Sequence, residues 1–173
     1  MLINMTNVLA DEGKFLETEC EIEMDLFESS LGDFPILRKE PLIFRASNVS
    51  PGKAQYHGTM TLELQLACDR CLREVSKLFE LNFSGVISAP EKDDEEHENS
   101  EFMEGYSFNI ESLVSNEVLM NWPMKVLCSN DCKGICMKCG KDLNSGMCEC
   151  DTFVPDPRMA MIKDIFNANN KEV

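Results

Sequence analysis

The sequence predicts an α+β protein: an antiparallel β-sheet of about five strands, one main helix, and a C-terminal Cys-rich module of zinc-ribbon type with a short last helix. Three observations lead there. The stretch from Ala54 to Leu66 alternates apolar and polar residues and ends in Cys68-Asp69-Arg70-Cys71; a second extended run follows, the pattern of a hairpin with two thiols at its tip. Residues 109–122 repeat apolar positions at helical spacing. Six of the nine cysteines fall between Cys128 and Cys150, a density that no packed core requires. The chain of 173 residues then divides into a β domain over 1–126, with an acidic loop at about 90–104 and the helix at about 109–122, and a metal-binding module over 127–173.

Residues 1–34 give the weakest signals, with Gly13 interrupting a polar start. Between Phe15 and Phe27, Cys20, Ile22, Met24 and Leu26 alternate with Glu21, Glu23 and Asp25, which predicts one half-buried strand. Gly32, Pro35 and Pro41 mark Leu31 to Pro41 as a loop. Leu42 to Val49 reads as a strand through Phe44 and Ala46. Ser50-Pro51-Gly52-Lys53 reads as a turn, because proline presets φ at one position and glycine accepts a positive φ at the next. The long strand follows, with Tyr56, Gly58, Met60, Leu62, Leu64 and Leu66 on one face, and the returning strand carries Val75, Leu78, Leu81, Phe83, Val86 and Ile87. From Glu91 to Glu104, eight acidic residues stand against the single Lys92, a run that cannot bury itself and predicts a solvated loop. Asn109 can cap a helix whose buried stripe is Ile110, Leu113, Val114, Val118 and Trp122, with Pro123 as its stop and Trp122 packed in the core at its end. Beyond the cysteines, Asp156 can cap a last helix that has Pro157 at its first position and Met159, Ile162, Ile165 and Phe166 on its buried face.

Sixteen basic residues against 31 acidic ones give a net charge of −15. A coat this acidic is repelled by phosphate backbones unless basic residues are segregated, and it favours basic partners. The balance is slightly basic only from Arg38 to Glu80, so Arg70 and Arg73, beside the hairpin-tip thiols, are the candidate phosphate contacts if RNA is touched. No apolar run is long enough to span a bilayer, and the N-terminus lacks the basic and long apolar regions of a signal peptide, so the expectation is a cytoplasmic protein with no membrane partner. In a reducing compartment nine cysteines point to metal and not to disulfides; Cys20, isolated in an extended segment, reads as a small buried hydrophobe.

The late cysteines are spaced C-x3-C-x3-C-x2-C-x8-C-x-C. Thiolates gathered on a turn-rich segment suit a soft cation, usually Zn²⁺. Cys136-Met137-Lys138-Cys139-Gly140 is the sharpest part, since glycine after the second cysteine lets backbone amides point at the sulfurs. No Gly-rich phosphate loop, H-E-x-x-H helix or Ser–His motif accompanies it, which argues against an enzyme and a small-molecule substrate. One chemical alternative is a thiol redox protein or sensor using the Cys68/Cys71 pair, because C-x-x-C is also the dithiol motif of oxidoreductases.

Cys68-Asp69-Arg70-Cys71-Leu72, Trp122-Pro123, Leu127-Cys128, Cys132-Lys133-Gly134-Ile135-Cys136, Cys139-Gly140, Leu143-Asn144, Cys148-Glu149-Cys150 and Asp156-Pro157-Arg158 occur here in one order. Together they resemble the YceD family, the large ribosomal RNA subunit accumulation proteins, over roughly residues 40–166. Met137 stands where the family commonly has proline, and Trp122 where leucine is usual. The resemblance implies a cytoplasmic, bacterial, non-enzymatic ribosome biogenesis factor needed for normal 23S rRNA levels and large-subunit assembly. The partners it suggests are a basic large-subunit ribosomal protein, a large-subunit rRNA precursor, or both.

With Cys20 set aside, eight thiols make two sets of four. Cys136, Cys139, Cys148 and Cys150 form a compact ribbon site for a first Zn²⁺; Cys68 and Cys71 with Cys128 and Cys132 would hold a second Zn²⁺ that staples the β domain to the module. The rival is a single ion held by four of the six late cysteines, with Cys128 or Cys132 able to replace Cys148. Either way four thiolates leave no position open for water, so one or two ions would be structural.

Overall fold

The computed structural model describes residues 1–90 and 102–150. In chain order these form β1 (Leu2–Asn4), α1 (Thr6–Ala10), β2 (Phe15–Cys20), β3 (Leu26–Ser29), β4 (Gly32–Lys39), β5 (Leu42–Ser50), β6 (Lys53–Ala67), β7 (Glu74–Ser88), β8 (Met103–Glu104), β9 (Ser107–Asn109) and α2 (Ile110–Met120). The described chain is mostly antiparallel sheet with few helices.

The alternation read from Ala54 onward builds β6, whose buried face is Ala54, Tyr56, Gly58, Met60, Leu62, Leu64 and Leu66. β7 pairs with β6 along its whole length, from Ala67↔Glu74 to Lys53↔Ser88. That occupies one edge of β6. β5 and β4 therefore share the other edge, β5 against residues 53–59 and β4 against residues 62–64. β2 extends the sheet beyond β5, and β3 beyond β4. A separate three-stranded sheet has the order β1-β9-β8. Gly58 lies under the ring of Phe83, which an added Cβ would strike. A glycine in mid-strand thus makes room for a cross-strand aromatic ring.

Three strand assignments change. The single strand expected between Phe15 and Phe27 is two, β2 and β3, and the inward face switches from Cys20 and Ile22 to Phe27, leaving Leu26 exposed. The loop expected from Leu31 to Pro41 is largely β4. Pro35 is tolerated because the ladder to β6 begins only at Ile36↔Leu64, so its missing N–H removes no bond from that ladder. In β7, Phe79 is buried and Leu78 is 51% exposed. The unbroken register with β6 imposes period two where the apolar residues alone suggest spacing of three. β1 and α1 carry no clear sequence signal, yet Ile3, Met5, Val8 and Leu9 join the core.

α2 begins as expected, with Asn109 Oδ1 accepting from the Ser112 N–H at 3.2 Å. Ile110, Leu113, Val114 and Val118 are buried. Trp122 lies just past the helix end and packs against Phe27, Phe34 and Phe79, with ring centroids 6.0, 4.9 and 5.9 Å away. A second aromatic cluster joins Phe44, Tyr56 and Phe108. Cys20 is buried beside Thr18 and stands apart from the other cysteines. The acidic run over 91–101, His97 and the expected last helix lie outside the described residues.

Burial, and next the charge of Glu117, push the Tyr56 phenol up from 10.0 to about 12. A raised folded value stabilises the protein fully below the unfolded value and loses that contribution as pH rises through the folded one. Stability should therefore decline between about pH 10 and pH 12, by on the order of 3 kcal/mol for this group. Denaturant titrations across that range check it: Tyr56→Phe should have a shallower decline, and equal slopes would refute the assignment.

Candidate metal centres

The period of β6 aims the first ligand. Cys68 continues the buried face of Leu64 and Leu66 one step past the strand, so its sulfur points inward. The chain then turns tightly. The Cys68 N–H donates to the Arg73 carbonyl at 2.8 Å and the Leu72 N–H to the Cys68 carbonyl at 2.9 Å. Asp69 anchors this tip to the segment after α2. Its N–H donates to the Val126 carbonyl at 2.9 Å, and its carboxylate accepts from the Val126 N–H at 2.7 Å. That docking sets Cys128 beside Cys71, with sulfurs 3.5 Å apart, and Cys132 beside Cys68, at 3.8 Å. All four sulfurs lie within 4.8 Å of one another. A tetrahedron with metal–sulfur bonds of ~2.3 Å has edges of about 3.8 Å, which this set matches.

The second group grows from the same segment. Ile135 bridges to Asp142, the Cys136 N–H donates to the Lys141 carbonyl at 2.9 Å, and the Gly140 N–H donates to the Cys136 carbonyl at 2.8 Å. Cys148 and Cys150 complete it, again with all sulfurs within 4.8 Å. Both groups could hold a metal ion. They differ in exposure: Cys68, Cys71 and Cys132 are buried, whereas Cys139 is exposed and Cys148 and Cys150 are half-buried.

The two C-x-x-C turns share one backbone pattern. The residue after the second cysteine has positive φ, 72° at Gly140 and 59° at Leu72. Leu72 is the one non-glycine residue in that region among the described residues, and its side chain is 67% exposed. Left-handed backbone costs an L-residue roughly 1–2 kcal/mol, and glycine's extra unfolded freedom offsets about half of that. Leu72→Gly should therefore raise stability by roughly 0.5–1 kcal/mol. A denaturant midpoint that rises with an unchanged slope would bear this out; a fall would show that the leucine side chain has a stabilising contact.

Polar struts hold the groups in place. Arg70 Nη1 donates to the Cys132 carbonyl at 2.7 Å, and the Arg70 carbonyl accepts from the Ile135 N–H at 3.2 Å. Gly134, with φ 77°, passes so close that an added Cβ would sit 3.0 Å from the Arg70 oxygen. Asn144 Nδ2 donates to the Cys132 sulfur at 3.4 Å while its Oδ1 accepts from the Lys133 N–H at 2.8 Å. Asp142 accepts from the Asn144 amide and pairs with Arg73 at 2.8 Å. The Asn144 backbone N–H, then its side chain and Arg73, hold the Asp142 carboxyl below its usual range against the opposing effect of burial.

Crowding four sulfurs divides their protons unequally. Burial raises the Cys68 thiol, but the backbone N–H groups of Arg70, Cys128 and Cys71 outweigh it and bring it down to about 6. Cys136 also falls to about 6, chiefly through the N–H groups of Cys139 and Lys138. Cys71 receives the Arg73 N–H, yet burial and the sulfurs of Cys128, Cys68 and Cys132 push it up to about 12. Cys150 rises to about 12 because of Cys139 and burial. Four neighbouring thiolates coexist only around a cation.

The sequence profile of the family described as "Large ribosomal RNA subunit accumulation protein YceD" matches residues 56–166. The chain belongs to the YceD family. The YceD match begins inside β6 and takes in both four-cysteine groups. YlbN of Bacillus subtilis (strain 168), described as an uncharacterized protein, is 24% identical over 126 residues, covering 72% of this chain and 73% of its own. No solved structure matches. No helix among the described residues of this YceD-family chain is long and apolar enough to cross a membrane.

Sequence reasoning named all eight cysteines of the two groups but missed Asp69, Asp142 and Asn144 as their supports. The signal was present in Asp142-Leu143-Asn144 just after the C-x-x-C-G turn, because Asp and Asn bond readily to nearby backbone. Arg70 and Arg73, read as candidate phosphate contacts, are exposed, and they bond to the Cys132 carbonyl and the Asp142 carboxylate.

Proposed function

We propose that this chain is a non-enzymatic factor in ribosome biogenesis, required for 23S rRNA accumulation and large-subunit assembly in a bacterial cytoplasm. The observation that carries this reading is the family match, whose description names large ribosomal RNA subunit accumulation. Two zinc ions are structural in it. One is held by Cys68, Cys71, Cys128 and Cys132 and staples the β domain (1–126) to the ribbon-like module (127–173); the other is held by Cys136, Cys139, Cys148 and Cys150. The matching sulfur–sulfur distances and the absence of an open ligand position in a four-thiolate set support a folding role over chemistry. The net charge of −15 favours a basic large-subunit protein as direct partner, with the rRNA precursor reached through it. The thiol redox alternative has weaker support. Cys68 is fully buried, so its sulfur has no access to a substrate disulfide.

The test is deletion of the gene in its host, with 23S rRNA measured against 16S rRNA and ribosomal subunits resolved by sedimentation. A shortage of 23S rRNA and large subunits, restored by the wild-type chain, is expected. A normal profile in the deletion strain would overturn the reading.

A further inference from the structure

We propose that the outer edge of β7, from Glu74 to Ser84, is a docking edge that takes an extended, basic polypeptide segment as an added strand. This deepens the reading of a basic protein partner, and rests on it.

Which backbone groups face outward follows from hydrogen-bond parity. The Cys68 N–H donates to the Arg73 carbonyl, so the Cys68/Arg73 pair is a bonded one. Bonded and non-bonded pairs alternate along an antiparallel ladder. The register runs without a shift to Lys53↔Ser88, so the odd-numbered residues of β7 bond to β6. The other edge of β6 gives an independent check, since the Thr61 carbonyl accepts from the Glu40 N–H on the β4 and β5 side. The N–H and C=O groups of Glu74, Ser76, Leu78, Glu80, Asn82 and Ser84 therefore point away from the sheet. All six residues are exposed, and β7 pairs with no described strand except β6.

Sheet edges in natural proteins are blunted by shortness, proline, bulges or lysine. β2 and β3, the other edges of this sheet, have six and four residues. The β7 edge has no proline, no bulge and only Lys77, and it runs roughly 35 Å. Its flanking side chains define the occupant. Glu74 and Glu80 form no ion pair with a described residue, and Leu78 lies between them half-exposed. Opposite charges directly across a strand pair attract and like charges repel. The segment that fits has basic residues opposite Glu74 and Glu80 and an apolar residue opposite Leu78.

The test uses the full metal-loaded chain and a synthetic peptide of about a dozen residues, the length of the edge. It carries lysine at the positions facing Glu74 and Glu80, valine facing Leu78 and threonine elsewhere. Amide exchange read residue by residue is expected to be fast at Ser76, Leu78, Glu80, Asn82 and Ser84 in the free chain, and to slow by at least about tenfold with the peptide bound. Ser76→Pro and Asn82→Pro each remove one outward donor and no bond to β6. Both variants should retain metal and weaken the peptide by about tenfold or more, as should Glu74→Lys/Glu80→Lys. Edge amides already protected in the free chain would overturn the proposal, since the chain's own residues would then cover the edge. Undiminished binding by both proline variants, or slowing by a short single-stranded RNA and not by the peptide, would overturn it too. Such a failure leaves a 23S rRNA defect in the deletion strain standing, whereas a normal rRNA profile with peptide binding intact sinks the ribosomal reading alone.

Discussion

Purified without chelator, the protein should contain two zinc ions per chain, and Cys68→Ser/Cys71→Ser should contain one. This is the largest effect expected of any change to the molecule. Apparent binding free energies of structural zinc in small peptides are about 10–16 kcal/mol, as large as the whole stability of a typical domain. What remains between the hairpin tip and the later segment without that ion is a small set of contacts: Asp69 with Val126, Arg70 with the Cys132 carbonyl and the Ile135 N–H, Arg73 with Asp142, and the packing of Val75, Leu127 and Ile135. Each polar contact contributes about 1–3 kcal/mol at most. The double variant should therefore lose exchange protection from Val126 to Cys132 while β5, β6 and the upper part of β7 keep theirs. Zinc should also dissociate as pH falls, because protons compete for the thiolates. One ion unaffected by the double substitution would confine metal to the late cysteines. No metal at all would remove the structural role and return Cys68 and Cys71 to thiol chemistry.

Phe108→Ala should cost about 3–5 kcal/mol, the second largest effect. Phe108 is completely buried, with ring centroids 5.4 Å from Phe44, 5.0 Å from Tyr56 and 6.4 Å from Phe102. It ties the small sheet, where it pairs with Ile3 and Met103, to the inner face of the large one. Truncation removes a whole ring from both contacts, and backbone paired on two sides cannot collapse into the space. For a chain of this size the midpoint of thermal unfolding should fall by on the order of 10 °C. Metal content at low temperature should not change, because the buried residues of the main core and those of the cysteine cluster are distinct and Phe108 stacks on neither cysteine group, although Val75 packs against both. A loss below about 1 kcal/mol would mean that the core refills the space, and a parallel loss of zinc would mean that the two regions unfold as one unit.

Much of the fold was legible because it depends on local period. The alternation from Ala54 to Leu66 states its buried face directly, and Pro51-Gly52 and Asn109 mark a turn and a cap that need only neighbouring residues. The same holds within each C-x-x-C turn. Even there the left-handed residue was legible only at Gly140, since Leu72 adopts the same conformation against its preference.

What the sequence could not state depends on partners distant in the chain. Pro35 is a breaker by local rules, and becomes part of a strand because of where the ladder from β6 happens to begin. Leu78 and Phe79 are indistinguishable by hydrophobicity, and only pairing with β6 turns one out and the other in. Spacing left open whether Cys128 and Cys132 belong with the other late cysteines or with Cys68 and Cys71. The tertiary structure places their sulfurs beside the hairpin tip, through a carboxylate. Asp69 holds Val126 across 57 residues of sequence, and the sulfurs of Cys128 and Cys132 that follow lie next to those of Cys71 and Cys68. Arg70 and Arg73 were read from charge counting as candidate phosphate contacts; the structure shows them exposed at the surface and bonded to the Cys132 carbonyl and to Asp142. By itself the sequence determined what each segment can form, because turns, caps and strand faces are set by adjacent residues. Only the fold determined which segments meet, because loop closure brings groups together at a cost that local pattern does not record.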